Sequence, residues 1–134
     1  MDRMIYAVIN GKERPLNYSI EVMFNMADKF GSIREALELI DKPTLSAFEA
    51  VRWFAVQMAN DAELCRRQEG YDAQEMVREE DISPRIRPVD YEALRGAVID
   101  AITLGYKREI PKDENEEIDV GLEELREKKA KTGE

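Results

Sequence analysis

Asp113, Asn115, Glu117, Asp119 and Glu124 occupy positions one, three, five, seven and twelve of a calcium-loop template. Oxygen ligands at that spacing suit a hard cation. Position six requires glycine for the sharp turn, however, and Ile118 stands there, so the run reads as an acidic solvated segment and no metal ligand is assigned. The paired carboxylates Glu79-Glu80 and Glu123-Glu124 are adjacent in sequence, so on a helix they diverge and cannot share acid–base work on one bond.

Cys65 is the single cysteine. A reactive thiol needs a neighbouring base or a helix amino terminus, whereas Arg66 and Arg67 place Cys65 near a helix carboxyl terminus, so an inert, buried thiol is expected. There is no histidine. That removes serine–histidine and cysteine–histidine nucleophiles, imidazole acid–base chemistry and the usual zinc sites. Gly96 and Gly105 are isolated, and no glycine-rich phosphate loop is present. No catalytic residue and no cofactor is assigned, and the chain reads as a binding protein and not an enzyme.

The charge balance narrows the partners. With 29 acidic and 20 basic residues the net charge is −9, which repels phosphate backbones and anionic lipid, so neither nucleic acid nor membrane is an expected partner. No apolar run approaches the ~20 residues of a bilayer span, and Met1-Asp2-Arg3-Met4 lacks a signal-peptide core, so a cytoplasmic location is expected. At 134 residues one domain is the default.

The elements that would carry any binding surface begin with a hairpin. Ile5 to Ile9 is β-branched and aromatic, Asn10-Gly11 tolerates positive φ, and Lys12 to Leu16 is the return strand, kept to an edge by Pro15. Ser19 can cap a helix with Ile20, Met23, Phe24, Ala27 and Phe30 on its apolar stripe and Gly31 at its end. On that reading Met23 fills core and Met26 is offset from the stripe. Ser32 with Glu35 has capping-box spacing for a helix striped by Ile33, Ala36, Leu37 and Ile40, which Asp41-Lys42-Pro43 breaks.

The longest helix is expected from about Leu45 to Arg67, capped by Ser46 with Glu49. Its core face carries Phe48, Val51, Phe54, Ala55, Met58, Ala62 and Cys65. Trp53 and Leu64 project almost opposite that face. Two readings stand: another element of the chain covers them, or they form an exposed strip for a partner. A short helix from Asp72 to about Glu80 and an extended connection through Ser83 to Pro88 follow. The last helix, capped by Asp90 and ended by Gly105, is striped by Tyr91, Leu94, Val98, Ala101 and Ile102.

The expected fold is therefore mainly α, a short N-terminal β-hairpin packed on a bundle of four to five helices. Residues 1–110 form the domain and residues 111–134 a flexible acidic tail. From Lys112 to Glu134 there are nine acidic and five basic residues.

The stretches INGKERPLNYSIEVMFNMADKFGSIREALELI and RPVDYEALRGAVIDAITLGY resemble the tail assembly chaperones of long-tailed bacteriophages and prophages of Gram-positive hosts. The likeness spans most of the first 106 residues, and its motifs are structural. It implies a helical scaffold protein in the host cytoplasm that coats and solubilises the tape-measure protein, recruits tail-tube subunits and self-associates as a homo-oligomer. It also implies a longer frameshifted form, which the lysine-rich end EELREKKAKTGE would suit. Helix-in-groove binding needs an exposed apolar strip, for which Trp53, Val56 and Leu64 are the candidates, with Met26 as an adaptable contributor. The rival expectation is a small cytosolic adaptor or regulator that binds one protein without coating it.

Overall fold

The computed structural model describes residues 4–107. Strands β1 (Ile5–Ile9) and β2 (Lys12–Leu16) form an antiparallel hairpin, followed by α1 (Ile20–Phe30), α2 (Ile33–Ile40), α3 (Leu45–Gln68), a single 3-10 turn (Glu79–Asp81) and α4 (Pro88–Gly105). This is a mainly helical fold with a two-stranded hairpin packed against four helices. The expected acidic tail and its calcium-like spacing lie outside the described residues.

Asn10 and Gly11 both have positive φ, 54° and 75°, as the tight turn between right-twisted strands requires. Ala7 and Ile9 on one strand, and Arg14 and Leu16 on the other, face inward. Two strands alone are marginal, and here β2 lies on α3 while β1 lies on α4. The long helix is the common floor. Its Val51, Phe54, Ala55 and Met58 are fully buried, meeting Leu16, Val22, Ile40 and Val98 from the other elements.

Ser19 caps α1, its Oγ accepting from the Val22 amide at 3.3 Å, and Ser32 caps α2 by accepting from the Glu35 amide at 3.1 Å. The rotation of α1 differs from the expected stripe. Val22 and Met26 are its buried residues, each 2% exposed, while Ile20 and Phe24 are 68% and 59% exposed and Met23 is half-buried. The apolar residues of α1 span a broad arc, and docking on α3 turned burial toward its Val22–Met26 edge, with Met23 and Phe30 of the expected stripe packed beside them. Met26 is thus interior and contributes nothing to an exposed strip.

Three further boundaries moved for local reasons. Helix α3 is capped by Thr44, whose Oγ1 accepts from the Ala47 amide at 3.1 Å, and Ser46 lies inside its first turn. Helix α4 starts at Pro88, whose missing N–H costs nothing at a first helical position, so Asp90 sits within the first turn and not at the cap. Between Ser83 and Ile86 the chain turns, with an Ile86 amide to Ser83 carbonyl bond of 3.3 Å, because Pro84 presets the φ of a turn as readily as that of an extended segment.

The expected helix from Asp72 is absent, and the chain from 71 to 78 is irregular. Side chains of other elements take its backbone groups instead. Asn60 accepts from the Val77 amide at 2.7 Å and donates to the Val77 carbonyl at 2.9 Å, Arg67 donates to the Gln74 carbonyl at 2.9 Å, and Arg14 donates to the Glu75 carbonyl at 2.6 Å. A backbone satisfied in this way gains little from a helical ladder of its own.

The far end of α4 closes on the start of α1. The Tyr18 and Tyr106 hydroxyls are 3.2 Å apart, and a Cβ on Gly105 would stand 2.8 Å from a Tyr18 ring carbon and 2.9 Å from its carbonyl oxygen. Gly105→Ala is therefore expected to lower stability by about 1–3 kcal/mol in urea titrations, the usual cost of overpacking a site whose neighbour is backbone. Gly11→Val is expected to cost about 1 kcal/mol or more by the same measurement, since a β-branched residue opposes positive φ. An unchanged midpoint for either variant would contradict the packing or the turn described.

Candidate partner-binding groove

Helix α1 runs antiparallel along α3, as three contacts in order show. Ser19 Oγ donates to Asp61 at 2.9 Å, Asn25 Nδ2 donates to Gln57 Oε1 at 3.4 Å, and the Phe30 ring meets Trp53 edge-on at 5.4 Å. Phe30 also stacks on Phe54, 5.6 Å between centroids and 13° between planes. The back of the long helix is thus partly covered by α1, so of the two readings for Trp53 the covered one holds in part: Trp53 and Val56 are half-buried against the core.

Beside that aromatic cluster the surface opens into a groove of about 370 Å³. Phe30, Trp53, Leu39 and Ala50 supply its apolar walls, and Lys29, Arg52, Glu49 and Glu79 its charged lining. The Lys29 ammonium stands 5.8 Å from the Phe30 ring centre and 6.0 Å from that of Trp53, within cation–π range. Arg52 lies 5.4 Å from the Phe48 ring and 3.8 Å from Glu79. Apolar wall and charged lining in nearly equal measure can accept an apolar side chain flanked by polar ones, the surface that an amphipathic helix presents.

Leu64 is not part of this groove. Although 44% exposed, it borders a separate depression of about 100 Å³ between Glu21, Asn25, Gln57 and Asp61, further along α3. Of the residues expected to form one strip, the structure leaves Trp53 in the groove, Val56 against the core, Leu64 at a distance and Met26 in the interior. Phe30 and Lys29 were missed, and their signal lay in the aromatic Phe30 placed beside a lysine at the end of α1.

The 3-10 turn brings Glu79 to the rim, and the segment before it is held by a buried carboxylate. Glu63 is 2% exposed and accepts from Arg66 at 2.7 Å, from Arg67 at 2.9 Å and from the Gln74 amide at 2.7 Å. The Gln74 amide, with the two guanidinium groups, outweighs burial and holds this carboxyl at about 2. The i, i+3 and i, i+4 placement of two arginines after Glu63 was the sequence signal for this pairing.

The Cys65 thiol is half-buried and accepts from Asn17 Nδ2 at 3.6 Å, and burial, with Asp61 and Glu69 nearby, pushes its pKa up and away from the thiolate. Cys65 is thus less enclosed than its place on the core stripe implied. Burial also raises Tyr91, whose hydroxyl has no partner among the described residues. No helix of the described residues is long and apolar enough to cross a membrane. No protein-family model, curated protein or solved structure matches the chain.

Because the carboxyl of Glu63 is depressed in the folded state, its contribution is complete above the ordinary value of 4.5 and is lost as pH falls toward about 2. The protein is expected to lose thermal stability through that window. Glu63→Gln should destabilise at pH 7 by about 2 kcal/mol and show a smaller loss on acidification, because it leaves two guanidinium groups without their carboxylate. Parallel acid profiles for the variant and the wild type would contradict the assignment.

Proposed function

We propose that this chain is a tail assembly chaperone of a long-tailed bacteriophage or prophage, acting in the host cytoplasm. On this reading it binds and solubilises the tape-measure protein, several copies coating one partner, and helps recruit tail-tube subunits. The observation that carries the reading is the preformed groove of Phe30, Trp53 and Leu39 with Lys29, Arg52, Glu49 and Glu79 around it. A tape-measure protein is a long helical partner, and a groove with apolar walls on a helical surface is what such a partner's apolar row requires. The resemblance of the two stretches quoted above supplies the family.

The net charge of −9 supports the same reading. It keeps the free protein soluble and favours a partner with basic residues flanking its apolar row, through faster encounter more than through contact energy.

The test fills the groove without touching the core. Ser46 is exposed and lines the groove; Ser46→Trp should leave the melting curve unchanged and weaken binding to a fragment of the tape-measure protein encoded downstream by about tenfold or more, ~1.4 kcal/mol, in calorimetry. Undiminished binding would move the site elsewhere. A wild-type chain that does not bind the fragment, or that binds a different protein one to one, would favour the adaptor reading instead.

A further inference from the structure

The two strands of the hairpin protect their outer edges differently. In a two-residue hairpin the residues flanking the turn exchange hydrogen bonds, so with Ile9 opposite Lys12 the bonded pairs are Ile9–Lys12, Ala7–Arg14 and Ile5–Leu16. The N–H and C=O groups of Tyr6 and Val8 therefore point away from β2, and the outward groups of β2 belong to Glu13 and Pro15. On the β2 side Pro15 removes one outward donor, and Lys12, Glu13 and Arg14 charge the strand, which are devices that deter strand addition.

Nothing comparable guards β1. Its sequence, Ile-Tyr-Ala-Val-Ile, has neither charge nor proline, and its outward side chains Tyr6 and Val8 are 49% and 65% exposed. Among the described residues no backbone or side-chain group bonds the outward polar groups of Tyr6 or Val8. Unpaired backbone groups of this kind must face solvent or another chain.

We propose that the β1 edge is a self-association site, at which β1 of a second copy adds antiparallel to make a continuous four-stranded sheet across the pair. The strand is complementary to itself in this register. Rotation about Ala7 sets Tyr6 opposite Val8 of the second copy and Val8 opposite its Tyr6, so the residues with outward backbone groups on each chain exchange hydrogen bonds in both directions. The same register places an aromatic against a β-branched side chain twice on the outer face, a favourable cross-strand pair. On the inner face it sets Ile5 against Ile9. Between two molecules each carrying −9, a charge-free strand is where the chains can approach without opposing like charges.

Two five-residue strands make a contact at the low end of stable interfaces, so the association depends on concentration. It requires no tape-measure partner, and it would place at the β1 edge the self-association that the resemblance implies. Sedimentation of the full chain across a wide concentration range should show a monomer–dimer equilibrium. The Tyr6 and Val8 amides should exchange freely in dilute solution and slow in concentrated solution.

In the double variant Tyr6→Lys, Val8→Lys the second introduced lysine faces Glu13 within its own hairpin, but lysines oppose each other across the dimer. The variant should weaken dimerisation about tenfold or more with an unchanged melting curve. Val8→Pro, which removes only an outward N–H, should do the same and decides the matter if the lysine variant fails to fold. A chain that stays monomeric at every concentration, or dimers undiminished in the folded variants, would overturn the proposal. So would slow exchange of the Tyr6 and Val8 amides in the dilute monomer, which would mean that this chain's own residues beyond Lys107 occupy the edge.

Discussion

The carboxylate of Asp61 ties the hairpin and α1 to the long helix at one point. One oxygen accepts from Asn17 Nδ2 at 2.6 Å and the other from the Ser19 hydroxyl at 2.9 Å, while the Asn17 amide donates to the Met58 carbonyl at 3.0 Å. Asn17 is the residue after β2, and Ser19 caps α1, so the junction between strand and helix is fastened to α3. From there α1 runs back along α3, which carries Phe30 to Trp53 and so forms one wall of the groove. The Ser19 hydroxyl donates to Asp61 while accepting from the Val22 amide, so the cap and the anchor are the same group.

Side chains bonded to backbone hold the remaining irregular parts. Arg95 donates to the Ile40 carbonyl at the end of α2 and to Asp41, joining α4 to a helix terminus whose carbonyls would otherwise lack partners. Glu63, Asn60 and Arg14 do the same for the chain before the 3-10 turn. Each of these bonds spans elements, so the loops are positioned by the helices beneath them. The groove rim inherits that order through Glu79.

The chemistry of the surface divides in two. Around Trp53 there is apolar area bordered by charge, suited to a partner that is itself amphipathic. Along β1 there is backbone hydrogen-bonding capacity with apolar side chains and no charge, suited to another strand. The first is the surface on which the proposed function rests, and the second the one on which the proposed self-association rests.

What the sequence by itself determined was local. Asn10-Gly11 specifies a hairpin because few residues accept positive φ twice in succession; Ser19, Ser32 and Gly31 delimit helices because their groups satisfy or permit helix ends; and the row from Phe48 to Ala62 identifies the core face of α3 because its apolar residues share one side. Only the tertiary structure decided which side of α1 was buried. Its apolar residues span a broad arc, and which part of that arc faces α3 depends on contacts such as the Ser19–Asp61 bond, 42 positions apart. The same holds for the segment after Gly70, where Asp72 and Glu75 carry the signals of a helix start but Asn60, Glu63 and Arg14 take its backbone groups. Trp53 was legible as a residue with two possible fates, and the arrival of Phe30 settled how much of it remained exposed. Periodicity records how a segment relates to itself, whereas burial and groove formation depend on which distant side chain reaches it first.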